Sequence, residues 1–510
     1  MQTLARTDQS APPHCIETHI SWVILTPSFA YKIKKPVNFG FLDFSTLAKR
    51  KHACDEELRL NRRFSTDLYL SVDPITGTPS HLVLSGGGTP IEYAVKMRRF
   101  DSGQQFDQLL ASGQLAAQHI EALATRIATI HLSLPAEPAE QALHRISLAH
   151  HYAEENFAVA LPLIHNSETL GLMQQLQTWT QREAEHKQAI FNERALRGFI
   201  RECHGDLHLG NIALENGKPL IFDCIEFNPD LRWIDVFSEV AFTLMDLESH
   251  GAIPLANRFL NRYLELTGDY QGMAVLDFYR LYRAMVRVKV SLLQLQQSTC
   301  VTERNQRLSD FQRYLDYAHG LLQKKTVTLV ILHGFSGSGK SRLAVALCAA
   351  LPAIHLRSDV ERKRTPPSLT SPPAQNDLYS DASRGETYQH LSELANSLLN
   401  EGCNVVLDAT HLQQSHRELA LRTAAASGAA AVILDCQAPV ALLKQRISRR
   451  RHQGHDPSDA DVQVLETQLR SAEPLGAHER RHTVTLDMTA EIDISGLIST
   501  IERVRRPPGD

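Results

Sequence analysis

The sequence predicts two folded units in tandem: a two-lobed α+β unit, then an α/β unit built on a parallel sheet. Three observations carry this reading. Residues 20 to 100 are dominated by short β-rich runs, and residues 104 to 200 switch to helical periodicity. From residue 327 onward, apolar strands and helices alternate, the pattern of a parallel sheet with covering helices. A chain of 510 residues is also too long for one core, since single cores stop growing at roughly 250–300 residues.

The elements follow in order. SWVILT, FAYKIKK, LYLSVDPI, HLVLS and IEYAVKMRRF read as strands with turn residues between them, and one helix, Thr46 to Arg63, interrupts them. Residues 201 to 224 return to short strands around a His/Asp/Asn-rich loop, and residues 231 to 322 are helical again. QKKT then leads straight into VTLVILHG, so a boundary is expected at 323–327. This gives a first domain over 1–322, with lobes at about 20–100 and 101–322, and a second over 323–510. In the second, VTLVIL, AIHLRS, NVVLDAT, AAVILDC and HTVTLD are the strands, and RTPPSLTSPP (364–373) reads as a loop.

Composition removes several classes. With 53 Lys+Arg against 57 Asp+Glu, a net charge of −4 excludes a globally basic nucleic-acid coat. A content of 43% hydrophobic and 22% charged residues is that of a folded chain rather than a disordered one. Eight cysteines without a CxxC pair argue against a disulfide framework or a structural zinc site and fit a reducing compartment. The first twenty residues hold no apolar signal core. The most apolar later stretch, Ala424 to Leu434, has 11 residues, where a membrane span needs about 20. The expectation is a cytoplasmic protein with no membrane partner.

Gly334-Phe335-Ser336-Gly337-Ser338-Gly339-Lys340-Ser341 fits GxxxxGK[ST] at every fixed position, with a strand before it and a helix after it. Such glycines let successive backbone N–H groups curl around phosphate oxygens, and the helix N-terminus adds a positive dipole. The eight residues are therefore expected to cradle ATP, with Lys340 reaching the β/γ phosphates and Ser341 holding Mg²⁺. Asp408, ending NVVLDAT, is the candidate second Mg²⁺ ligand; Ala409 follows it where a hydrolytic motor needs Glu. Asp359 can take or orient the proton of an acceptor hydroxyl, or simply cap the next helix. Arg446, Arg449, Arg450 and Arg451 form a dense cluster in which Arg446 and Arg450 share a helix face. Those two are the candidates for neutralising charge during transfer, with Arg362 and Arg417 as further candidates for substrate contact.

In the first domain, His204-Gly205-Asp206-Leu207-His208-Leu209-Gly210-Asn211 precedes a short strand ending in Asp223. Asp206 and Asn211 have the spacing of the protein-kinase catalytic loop, where the aspartate engages the acceptor hydroxyl and the asparagine binds metal. Asp223 is then the second metal carboxylate. These oxygen ligands suit Mg²⁺ rather than zinc, leaving His204 and His208 as loop scaffolding. Phe29-Ala30-Tyr31-Lys32 matches the strand lysine of that fold, although Lys34 lies on the same face. The helix supplies Glu56 and Glu57 as alternative partners, with Lys32 and Glu57 preferred. IEYAVKMRRF is similar to the last strand of that fold's first lobe running into the hinge, a resemblance that implies adenine binding by backbone groups near Met97.

HGDLHxxN, with Cys224-Ile225 after the metal aspartate, resembles the aminoglycoside phosphotransferase and choline kinase branch of the protein-kinase-like fold. The C-terminal half resembles P-loop kinases related to gluconate kinase, polynucleotide kinase and zeta toxins. The order of the two resembles bacterial bifunctional fusions, anchored by FAYKIKKP, EELRLNRR, IFDCIEF and GFSGSGKS. The resemblance implies that Asp235 braces the catalytic loop. It also implies an ATP- and Mg²⁺-dependent phosphotransferase with two nucleotide sites, acting on hydroxyl groups of small-molecule acceptors. The alternative is one active kinase beside a nucleotide-sensing regulatory P-loop ATPase module. Nucleic acid is not an expected partner, except as an open option for the acceptor of the second domain. The sequence sets neither the acceptors nor the oligomeric state, and Glu154, Glu155, Glu183 and Glu185 fit solvated helix faces as well as a polycation pocket.

Overall fold

The β-rich runs of the first hundred residues assemble into a six-stranded antiparallel sheet in the computed structural model of the chain. It describes residues 14–505 apart from 41, 79–80, 299, 324–325, 365–380 and 454–459. The strands are β1 His14–Glu17, β2 Ser21–Leu25, β3 Phe29–Lys34, β4 Tyr69–Thr78, β5 His81–Leu84 and β6 Glu92–Arg98, in the order β1-β2-β3-β6-β4-β5. β1 is an edge strand with all four residues exposed, so no apolar alternation announces it. Helix α1 Leu47–Phe64 follows β3, its first turn capped by Thr46, whose hydroxyl accepts from Lys49 N. Ala53, Cys54, Glu57, Leu60, Asn61 and Phe64 are its buried stripe, at helical spacing. Glu57 is charged in the middle of that stripe and needs a buried partner.

The following lobe is mostly helical: α2 Phe106–Ala111, α3 Ala117–Ser133, α4 Ala139–Ala160, α5 Ser167–His186, α6 Gln188–Leu196, α7 Val236–Ser249, α9 Met273–Gln297 and α10 Val301–Leu321, while α8 Ile253–Thr267 belongs with the second unit. Two short ladders interrupt it, β7 Ile200–Glu202 with β10 Trp233–Asp235, and β8 Ile212–Glu215 with β9 Lys218–Ile221. Its core joins Phe157, Met173, Phe242, Met245, Met285 and Tyr314, drawn from α4, α5, α7, α9 and α10.

The C-terminal residues form a second sheet, all parallel, in the order β12-β13-β11-β14-β15. Its elements are β11 Thr328–His333, α11 Lys340–Ala350, β12 Ala353–Arg357, α12 Ser358–Arg364, α13 Asp381–Asn400, β13 Asn404–Asp408, α14 Gln414–Ala426, β14 Ala430–Gln437, α15 Val440–Gln453, α16 Val462–Ser471, α17 Ala477–Arg480, β15 Thr483–Asp487 and α18 Ile494–Arg505. Leu329 to Leu332 of β11 are fully buried, as expected of a central parallel strand covered on both faces.

The chain divides into two compact units, Met1–His250 with Val275–Leu322, and Gly251–Ala274 with Gln323–Asp510. Residues 251–274 thus pack with the second unit, although the sequence expectation counts them in the first domain. The physical reason is backbone satisfaction. Asn261 donates to Ala353 O at 2.9 Å and accepts from His355 N at 2.7 Å, which occupies the free edge of β12. Asn257 donates to Ala349 O at 3.1 Å, and Tyr270 OH donates to Glu361 at 2.8 Å. No shift in composition marks this exchange. Residues 324–325 of the expected boundary and residues 365–373 of the proline-rich stretch lie outside the described residues. No described helix is long and apolar enough to cross a membrane.

Candidate active sites

In the first unit, strand alternation puts Ala30, Lys32 and Lys34 on one face of β3. Both lysines reach Glu57: Lys32 Nζ lies 3.0 Å from Oε1 and Lys34 Nζ 2.5 Å from Oε2. A carboxylate has two oxygens, so the choice between the lysines is resolved as a shared partner. Lys32 also meets Asp223 Oδ1 at 2.5 Å, and Lys34 pairs with Glu226. Glu56 turns away to Arg59 and Arg232. Burial alone would drive the Lys32 ammonium towards neutrality, but Asp223, Glu57 and Glu226 outweigh it and raise its pKa well above normal. Glu226 was not among the sequence candidates; an acidic residue inside the apolar run IFDCIEF was the available signal.

Asp223 follows β9 with φ +65, a left-handed conformation that costs a non-glycine residue about 1–2 kcal/mol. It is held there by Tyr69 OH, which accepts from Asp223 N at 3.0 Å, and by Asn61, which accepts from Cys224 N at 3.0 Å. Burial pushes the Asp223 carboxyl up, but Lys32 and Lys34 overcome it and hold it below the usual range. Cys224 is buried and its thiol pushed well up by burial, so it offers no reactive thiolate.

The loop 204–211 brings Asp206 and Asn211 together. Asn211 donates to Asp206 O at 2.9 Å and to Oδ2 at 3.2 Å, which commits its amide nitrogen and leaves its carbonyl oxygen for a cation. Burial raises the Asp206 carboxyl, but His208, Arg287 and His204 outweigh it and hold it well below the carboxylate range. His204 is buried, bonded to Phe222 O at 2.8 Å and against Phe64, so it links the loop to the strand before Asp223. Gly205 has φ +89, and a Cβ there would meet Leu231 O at 2.7 Å.

The resemblance implies that Asp235 has a structural role, bracing this loop. The structure places Asp235 in a bidentate pair with Arg194, at 2.7 and 2.8 Å, and as the cap of α7 through Phe237 N. Loop backbone is bonded instead by Glu239, Thr243 and Asp246, one stripe of α7. Glu239 accepts from His204 N at 2.6 Å and Gly205 N at 2.9 Å. Thr243 donates to Leu207 O at 2.8 Å, and Asp246 accepts from Leu209 N at 2.9 Å. The other Glu239 oxygen is 3.0 Å from His131 Nε2. His131, Cys203 and Glu239 lie close enough to hold a metal, but the Glu239 oxygens are committed to this support. Glu239→Ala would leave the buried N–H groups of His204 and Gly205 without their acceptor. It is expected to lower stability by about 2–5 kcal/mol in thermal or urea unfolding. Glu239→Gln, which keeps an acceptor oxygen, should lose less than half of that; an unchanged Glu239→Ala protein would contradict the assignment.

A cleft of about 1350 Å³ joins these groups, lined by Lys32, Met97, Asp206 and Asp223 among others. Met97 sits opposite Ala30 in register, near the Phe100–Phe222 ring pair. Asp206, Asp223 and the Asn211 carbonyl are hard oxygen donors and fit a divalent cation.

In the second unit, the phosphate loop joins β11 to α11. Gly334 has φ +139, and a Cβ there would lie 2.6 Å from Cys436 O. Lys340 Nζ donates to the carbonyls of Gly334 and Phe335, both at 2.8 Å. Burial lowers its pKa, opposed by Asp408. Asp408 bonds His355 Nε2 at 3.0 Å and the Ser341 hydroxyl. Burial pushes its carboxyl up, but His355, Ser341 and Lys340 outweigh it and hold it at about 2. Ser341 and Asp408 are therefore adjacent oxygen donors that fit Mg²⁺. Gln468 clamps Ser336, accepting from its N at 2.9 Å and donating to its Oγ at 3.0 Å; nothing in the spacing marked it.

Asp359, in the first turn of α12, pairs with Arg362 at 3.1 Å. Both line a cavity of about 310 Å³ with Lys340, Ser341, Asp408, Arg446 and Arg450. Arg446 donates to Ser338 O at 3.1 Å and Met488 O at 2.8 Å, and Arg450 to Ala460 O at 2.8 Å. Arg417 is corrected: it is fully buried, bidentate with Glu479 at 2.7 and 3.1 Å, and bonded to three backbone carbonyls, so it does not touch substrate. It ties the turn after Thr410 to the segment 473–479.

The Phosphotransferase enzyme family matches residues 56–279, and the AAA domain family matches residues 329–475. Two Mycobacterium tuberculosis proteins and one from Mycobacterium bovis, each described as uncharacterised, are 31% identical over 453 residues, 88% of this chain and 88% of theirs. Among solved structures, a Plasmodium vivax ethanolamine kinase is 11% identical, with TM-score 0.34, over 60% of this chain and 82% of its own. A Sinorhizobium meliloti gluconokinase is 18% identical, with TM-score 0.26, over 36% of this chain and 91% of its own.

Proposed function

The chain belongs to the family of these mycobacterial proteins and itself carries a phosphotransferase-family match ahead of an AAA-domain match, and on that premise we propose two ATP-dependent phosphotransferase sites, each acting on a hydroxyl of a small-molecule acceptor. Its class is that of a kinase-type phosphotransferase. The observation that carries the two-site reading is convergence. Lys32, Asp206 and Asp223 line one cleft, and Lys340, Ser341, Asp359 and Asp408 line another.

In each site the acceptor oxygen bonds to the γ-phosphorus as the bond to the β–γ bridging oxygen breaks, and ADP leaves. Asp206 in the first site, and Asp359 in the second, receives or orients the hydroxyl proton. Lys32, fixed by Glu57, and Lys340, at the end of the glycine loop, neutralise phosphate charge. Residues 334–341 cradle the phosphates of the second site, with Arg446 and Arg450 beside them; backbone near Met97 holds adenine in the first. Asp223 with Asn211, and Asp408 with Ser341, would hold Mg²⁺, which when bound supplies charge neutralisation across the phosphates. A cytoplasmic location fits the eight free cysteines.

The test is a metabolite extract incubated with γ-labelled ATP and the wild type, Asp206→Ala or Lys340→Ala. Each variant should lose a different set of labelled products. If both lose the same set, the two-site reading is overturned. If one half binds ATP and labels nothing, that half is a sensing module.

A further inference from the structure

One wall of the first unit's cleft comes from α4 and α9. Tyr152, Glu155 and Asn156 share a face of α4, and Tyr282, Arg283 and Lys289 line the same cleft from α9, together with Asp206. Two buried donors of this wall have no acceptor. Arg283 is 3% exposed and has no carboxylate partner among the described residues. Its Nε donates to Ser238 O at 3.1 Å, its guanidinium lies over Phe242 and Tyr282, and its Nη2 is buried without a hydrogen bond. Asn156 is 1% exposed, and its Nδ2 has no partner. Lys289 makes no ion pair among the described residues; burial lowers its pKa, and Glu155 only partly opposes that.

Beside Asp206, α4 and α9 bring Arg283, Lys289 and Glu155 to this wall, and the two buried donors left over are costly unless an anion or strong acceptor meets them. Two buried cations elsewhere in this unit do have carboxylate partners: Lys34 has Glu57 and Glu226, and Arg194 has Asp235. We propose that this wall binds an anionic group, a carboxylate or a phosphate, on the hydroxylated acceptor phosphorylated at Asp206. A polycationic amino sugar would meet Arg283 and Lys289 and is disfavoured. The inference rests on the phosphotransferase reading of this site.

The experiment uses the full-length chain carrying Lys340→Ala, which lowers the second site's transfer about 10²–10³-fold, with γ-labelled ATP. The acceptors are a metabolite extract separated beforehand by ion exchange into acidic, neutral and basic fractions. Transfer that depends on Asp206 is expected in the acidic fraction. Phosphatase treatment of that fraction, followed by removal of the phosphatase, separates the sources: surviving transfer indicates a carboxylate, lost transfer a phosphate. Lys289→Met should raise the amount of acidic fraction needed for half-maximal transfer about tenfold, one charge-assisted contact, with little change in the maximal rate. Lys289→Arg should recover most of it, and Asn156→Asp, which puts a carboxylate in the wall, should also weaken the acidic acceptor. Asp206-dependent transfer confined to the neutral or basic fraction would overturn the inference and leave the kinase reading intact. A folded Lys289→Met protein with unchanged half-saturation would also overturn it. No Asp206-dependent transfer in any fraction would overturn the phosphotransferase reading itself.

Discussion

Asp206→Ala is expected to cut transfer by the first site about 10²–10⁴-fold, the range for removing a positioned general base, while the second site keeps its full rate. The nucleotide-facing groups are untouched, because Lys32 still has Glu57 and Asp223, so KM for ATP should move little. The loop should hold its shape as well. Asn211 keeps its bond to the Asp206 carbonyl, and Glu239, Thr243 and Asp246 still bond the loop backbone. A drop in kcat with unchanged KM for ATP and unchanged melting is the expected signature, read with labelled ATP. A loss traced to unfolding would contradict the assignment.

Lys340→Ala is expected to remove about 10²–10³ of the second site's transfer, the scale for losing one preorganised donor to developing charge. Lys340 is buried, and its ammonium points at carbonyls of its own loop. Phosphate oxygens would replace those carbonyls as acceptors, so alanine removes a charge that no neighbour supplies. Labelled products of the first site should be unchanged, which separates this outcome from general destabilisation.

The two motifs were legible because their spacing dictates backbone geometry: glycines at 334, 337 and 339 all take positive φ, as the loop requires. Glu57 was legible only as one of two alternatives with Glu56, and the separation comes from packing, which buries Glu57 against Lys32 and Lys34. The bracing acid was not legible. Asp235 and Glu239 lie one helical turn apart, and only the packing of α7 against the loop decides which carboxylate meets His204 N and Gly205 N. Arg417 misled for a related reason. An arginine reads as surface unless its partner is known, and Glu479 lies sixty-two residues on. Helix α8 carried no sign of its allegiance, because Asn261 is an ordinary polar residue until β12 offers its open edge. Lys289 and Arg283 were hidden in YRLYRAMVRVK, where cations at helical spacing look solvated.

The central claim is that the chain carries two nucleotide sites built from different residues. Isothermal titration of the full-length protein with ATP and Mg²⁺ tests it most directly. A stoichiometry of two is predicted for the wild type, falling to one in Asp223→Ala and to one in Lys340→Ala. A wild-type stoichiometry of one would contradict the account.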